Sequence, residues 1–149
     1  MLNKMTCFVA VILLGVALLA GTPSNPKENG NMPASGKDGL IVYYFYSNVR
    51  CPSCLKIEAY TRHLLESRFA AELKAGAIIW RPLNVETPGN EHFMDDFKLY
   101  TKSVVLVRQD QGRIVHWKNL PRIWELLTDE GAFADYIAGE IDAFDTGNR

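Results

Sequence analysis

At 149 residues and a formal net charge of -1, the chain has the length of one domain and no cationic excess with which to meet phosphates, which excludes a nucleic-acid binder. An apolar share of 48% and a charged share of 22% are ordinary for a globular protein and exclude general disorder.

Met1 to Thr6 carries one cation, Lys4, and Cys7 to Ala20 (CFVAVILLGVALLA) then runs without a charged or strongly polar side chain. The run is shorter than the roughly 20 residues of a bilayer span and suits the apolar region of a secretory signal. Leu18-Leu19-Ala20-Gly21 supplies small residues of the kind found at cleavage sites. A lipoprotein signal is not expected, because Thr22 follows Gly21 and Cys7 comes too early. Residues 1–20 are read as a cleaved signal peptide or a retained membrane anchor, and both remain open. Either way the remainder is placed outside the cytoplasm, in the periplasm or at the cell surface. Loss of Cys7 by cleavage would leave Cys51 and Cys54 as an even pair in an oxidising compartment.

Residues 21–39 (GTPSNPKENGNMPASGKDG) hold Pro23, Pro26 and Pro33 and almost no large apolar group, the composition of a flexible linker. The foldable domain, residues 40–149, starts with Leu40 to Tyr46 (LIVYYFY), a continuous aromatic and β-branched run typical of a strand buried on both faces. Ser47 to Arg50 forms a short polar loop, and Cys51-Pro52-Ser53-Cys54 follows. The spacing then predicts a helix to about Leu73, with Leu55, Ala59, Leu64, Leu65, Phe69 and Leu73 on its apolar side. Ala77 to Val85 reads as a second strand, irregular near Pro82. Thr87-Pro88-Gly89 turns the chain into a short helix over Asn90 to Leu99. Ser103 to Arg108 and Arg113 to Lys118 read as a hairpin about Asp110-Gln111-Gly112. The tail is helical, first over Pro121 to Leu127 and then from Asp129 to Phe144, with Thr128 as its cap. The order β-α-β-α-β-β-α gives an α/β domain with a mixed central sheet of about four strands flanked by helices.

A helix that opens on Cys51-Pro52-Ser53-Cys54 has a chemical rationale. Unpaired N–H groups and the helix dipole at that end favour an anion. A free cysteine titrates near pH 8.5, and such sites lower it to about 3.5–7.5. Pro52 suits the first turn, where its missing N–H is not needed. Arg50, just before Cys51, adds a cation that pushes the same way. Cys51 is therefore the expected nucleophile and Cys54 the resolving thiol. Two other uses of the pair stay open: a disulfide kept for stability, and a soft-metal or metalloid site (Cu, Zn or As) on the same sulfurs. The first would close a very short loop and stabilise little. For the second, His63, His92 and His116 stand at no recognisable ligand spacing, and no metal ligand set is assigned. Leu55 stands where attached c-type haem would require His.

With a buried strand, a loop, C-P-S-C opening a helix and a later β-β-α module, residues 40–144 resemble the thioredoxin superfamily. Leu83-Asn84-Val85-Glu86 followed by Thr87-Pro88-Gly89 strengthens the likeness. The resemblance implies a thioredoxin-like fold and thiol–disulfide exchange with a protein partner, with no organic cofactor. Three departures stand out. The buried carboxylate expected six residues before Cys51 is replaced by Phe45; Glu58, one turn after Cys54, is either a partial substitute or a solvent-facing helix residue. The proline that the superfamily places before its third strand is absent from Thr101-Lys102-Ser103-Val104, so a trans bond is expected there. Arg50 replaces an aromatic. Together these imply a dedicated partner rather than a general reductase. The resemblance also places Thr101, Lys102 and Ser103 beside Cys51, with Lys102 able to steady its thiolate. Trp80, Trp117 and Trp124 are read as core or partly buried packing, and His116 as facing outward. More narrowly, YYFYSNVRCPSCLKIEAY, LYTKSVVLV and HWKNLPRIWELL resemble a bacterial thioredoxin-like family labelled nitrophenyl-compound nitroreductase subunits (ArsF-like). That resemblance implies an accessory electron-transfer partner. A non-catalytic docking domain is the third reading of the whole.

Overall fold

The computed structural model describes residues 38–147; the proposed signal or anchor and nearly all of the linker lie outside the described residues. Strand β1 (Gly39–Tyr46) is the buried run read from the sequence, and it forms the centre of a four-stranded sheet. Helix α1 (Pro52–Arg68) and a short α2 (Ala70–Ala75) lead to β2 (Ile78–Asn84), which pairs parallel to β1. A one-turn helix α3 (His92–Asp96) precedes β3 (Ser103–Asp110) and β4 (Arg113–Asn119), and a 3-10 turn (Pro121–Trp124) leads into α4 (Glu130–Thr146). The sheet order is β2-β1-β3-β4, with β3 antiparallel to both β1 and β4. This mixed four-stranded sheet flanked by helices is the α/β architecture expected from the sequence.

Because strand side chains alternate between faces, β1 serves two cores at once. Leu40, Val42 and Tyr44 pack with Ile57, Leu64 and Leu65 of α1 and with Phe133, Ile137 and Ile141 of α4. Ile41, Tyr43 and Phe45 pack on the other side with Phe93, Phe97, Leu99 and Val107. That second core is largely aromatic: Tyr43 stacks on Phe45 at 4.9 Å between centroids, and Phe97 meets Trp117 edge-on at 5.5 Å. Trp80, Trp117 and Trp124 are partly buried against the two cores, and His116 is exposed, as the sequence suggested.

Several local expectations are corrected. The first helix breaks at Phe69, whose φ of -125° leaves the helical region, so one predicted helix becomes two. Its buried positions are Cys54, Ile57, Thr61, Leu64 and Leu65, whereas Leu55 (53% exposed) and Ala59 face solvent. The β1–β2 register runs through Pro82 without a shift, since β2 is an edge strand and a missing N–H there breaks no ladder. The hairpin extends two residues further into β3 than expected, and its tight turn holds Gln111 and Gly112 at positive φ of 49° and 72°. The cap of α4 is Asp129 rather than Thr128; its carboxylate accepts from Ala132 N at 3.0 Å. Among the described residues no helix is long and apolar enough to cross a membrane.

Candidate functional site

The candidate site sits at the end of the sheet where β1 runs out. Tyr46 O accepts from Val85 N at 2.9 Å, and the following loop is tied to β2 through Asn84 Nδ2 to Asn48 Oδ1 at 2.7 Å and Asn48 N to Glu86 at 2.8 Å. That loop delivers Cys51 to the mouth of α1. Cys51 is the helix N-cap, with extended φ and ψ of -79° and 161°, and its carbonyl accepts the first helical bond from Leu55 N at 3.1 Å. Its Sγ accepts from Cys54 N at 3.2 Å, so the sulfur does the work that a serine or aspartate oxygen does at an ordinary cap. Pro52 occupies the first helical turn.

Cys51 and Cys54 are joined as a disulfide, and the two sulfurs have unlike surroundings. Cys54 is 1% exposed, whereas Cys51 is only partly covered. Pro52 is exposed and Ser53 partly so. An attacking or accepting sulfur must come from solvent, so the helix start presents Cys51 and shields Cys54.

The group that β1 sends beneath the motif is Tyr44, not the residue matched from the resemblance. Phe45 lies on the opposite face of the sheet, among the aromatics of α3. Tyr44 is fully buried, and its hydroxyl donates to the carbonyl of Cys54 at 2.7 Å. Burial, the dominant cause, pushes the Tyr44 hydroxyl up to about 12, with Arg50 pulling it back and Glu58 adding to the rise. It therefore remains a donor across the neutral range.

Arg50 and Glu58 also differ from expectation. The Arg50 guanidinium lies over the Tyr46 ring, 4.2 Å from its centroid, and pairs with Glu58 Oε2. The other Glu58 oxygen pairs with Arg62 at 2.9 Å. Glu58 is thus neither a carboxylate committed to Cys54 nor a freely solvated residue; it is the centre of a half-buried ion cluster flanking the motif. The Arg50 cation, expected to favour the Cys51 thiolate, is paired with that carboxylate.

Thr101, Lys102 and Ser103 stand at the same sheet end, since Ser103 is in register with Phe45 near the close of β1. Two bonds hold this loop without involving the cysteines. Ser103 Oγ donates to Thr101 O at 2.9 Å, and Trp124 Nε1 donates to Lys102 O at 3.0 Å. No cis peptide occurs among the described residues, in agreement with the missing proline. A cavity of about 210 Å³ opens between this loop and Tyr46, Ser47 and Met94.

The three histidines lie away from the motif in other contacts: His63 with Glu130 at 2.9 Å, His92 with Asp96 at 2.7 Å, and His116 on the ring of Phe144. Among the described residues no three or more of His, Cys, Asp and Glu gather as a metal site. Tyr44, Tyr46 and Arg62 went unnoticed in the sequence. Strict alternation along β1 puts Tyr44 and Tyr46 on one face and Phe45 on the other, and Glu58 with Arg62 is an i,i+4 pair, so both signals were present.

No family model matches the chain, and no curated protein matches it either. Among solved structures it is similar to the germline-specific thioredoxin Deadhead of Drosophila melanogaster, with 19% identity over 70% of this chain and 83% of that one, at a TM-score of 0.44. It is likewise similar to thioredoxin f2 of Chlamydomonas reinhardtii, with 15% identity over 64% and 79% of the two chains and a TM-score of 0.41. A thioredoxin from Thermus thermophilus gives 15% identity over 60% and 72%, with a TM-score of 0.37.

Proposed function

We propose that the protein exchanges electrons with a dedicated protein partner through Cys51 and Cys54, outside the cytoplasm. The observation that supports this best is the unlike exposure of the two sulfurs, one accessible at a helix start and one buried a turn deeper. In the reduced protein the Cys51 thiolate, favoured by the N–H groups and dipole of α1, attacks one sulfur of the partner's disulfide. The partner's S–S bond breaks, and its second sulfur leaves as a thiolate that takes up a proton. Cys54 then gives up its proton and displaces the partner sulfur from Cys51, closing the Cys51–Cys54 disulfide. Two electrons pass from this chain to the partner, which is left as a dithiol. The reverse sequence oxidises a partner dithiol.

Arg50, Glu58 and the Thr101–Ser103 loop frame the reacting sulfurs, Pro52 and Ser53 shape the turn between them, and Tyr44 holds the carbonyl of Cys54 from below. The apolar run at residues 7–20 supports export, with the chain either released by cleavage or tethered to the membrane through residues 1–20. The narrower resemblance supports an accessory electron-transfer role beside a reductase.

The test is trapping in the cells that make the protein. Cys54→Ser should accumulate a DTT-sensitive adduct through Cys51 whose mass identifies the partner, and Cys51→Ser should accumulate none. No adduct, together with stoichiometric Cu(I), Zn or arsenite on the reduced wild type, would replace exchange with carriage.

A further inference from the structure

We infer that the cluster Arg50–Glu58–Arg62 is a specificity subsite that receives a carboxylate side chain of the partner, placed close to the disulfide that Cys51 attacks. This deepens the exchange reading and rests on it. The subsite is a surface groove with a cavity of about 230 Å³, bounded by Arg50, Leu55, Glu58, Ala59 and Arg62. It begins one residue before Cys51 and continues along the solvent side of α1, within reach of a residue next to a partner cysteine held at Cys51.

Its chemistry is unbalanced in one direction. Two guanidiniums share a single carboxylate, so one positive charge is left over and most of the N–H donors lack a charged acceptor. Arg50 Nε is buried and has no hydrogen-bond partner. Both guanidiniums are already held in place, Arg50 by the Tyr46 ring and Glu58, and Arg62 by Glu58. A carboxylate entering the groove would thus meet ordered donors and need to freeze few side chains. Leu55 and Ala59, the two positions of α1 expected in the core and found in solvent, provide an apolar floor for the neighbouring residue of the partner. An incoming Lys or Arg would face the surplus positive charge instead.

The test uses the full chain, reduced with DTT, freed of reductant and held in neutral detergent. Its single-turnover rate is measured with two disulfide-bonded peptides that differ only in carrying Glu or Lys two residues from the cysteine. The neutral compound bis(2-hydroxyethyl) disulfide serves as reference. The acidic peptide should react about 5-fold faster than the basic one at low salt, the range of a partly exposed charge pair, with the ratio falling toward one at about 0.5 M salt. Arg62→Lys should keep most of the preference, and Arg62→Ala and Arg62→Glu should reduce and invert it. Equal rates for the two peptides, with the reference disulfide still reduced, would overturn the subsite while leaving exchange intact. Failure in both directions, with the reduced protein leaving the reference disulfide intact and 2-mercaptoethanol leaving the Cys51–Cys54 disulfide intact, would instead sink exchange itself.

Discussion

Cys51 does two jobs with one sulfur. As the cap of α1 it accepts from Cys54 N, and as the less buried member of the pair it is the sulfur a partner would reach. Tyr44 supports the arrangement from the strand below. Tyr44→Phe removes a buried hydroxyl and its bond to Cys54 O, which should cost about 0.5–1.5 kcal/mol in a denaturant titration at pH 7. The same residue gives a pH signature. Its hydroxyl titrates at about 12 in the folded protein against 10.0 when unfolded, so the folded state holds more protons between those values. That contribution is fully present below pH 10.0 and is lost as pH rises through about 12. Tyr43 and Tyr136 are shifted upward too, chiefly by burial, and act in the same direction. Stability should therefore fall over this alkaline window, and less steeply in Tyr44→Phe than in the wild type. An unchanged slope in the variant would remove Tyr44 from the explanation.

At the scale of elements, the strand–loop–helix junction was legible because its signals are local and strong: an uninterrupted β1, a cysteine pair, and a proline in the first turn. What the sequence reading misplaced was decided by neighbours far along the chain. Leu55 and Ala59 carry an apolar identity but are exposed on α1, whereas Thr61, with a polar side chain, is buried with its hydroxyl donating to Ile57 O at 2.7 Å. Phe45 was matched to a carboxylate by counting back from Cys51, but alternation turns it into the aromatic core shared with Phe93 and Phe97. Restoring an acid there should fail. Phe45→Asp would lose the packing of a buried ring, about 3–5 kcal/mol for truncation alone, and would bury a carboxyl among aromatics, so it should be largely unfolded by circular dichroism. A folded, more reactive Phe45→Asp would contradict the face assignment. At α4, Asp129→Ala should lower stability by about 1 kcal/mol, while Thr128→Ala should leave the melt nearly unchanged.

For the whole molecule, stability resides in two hydrophobic cores on either side of β1, and the disulfide closes a loop too short to add much to them. Reduction should therefore shift unfolding by about 2 kcal/mol or less, leaving a folded dithiol ready to react; outright unfolding in DTT would mark the bond as structural. The candidate site at the end of the sheet is built from the close of β1, the start of α1 and the loop before β3. The exchange proposed at that end depends on Cys51 being ionised near neutral pH while Cys54 stays covered. The rate of iodoacetamide alkylation of each cysteine in the reduced protein, followed by mass against pH, reads this directly. Cys51 should react faster than free cysteine at pH 7, with a midpoint below the usual value of about 8.5, and Cys54 should lag well behind. Two thiols alkylating alike, with midpoints at or above that of free cysteine, would contradict it.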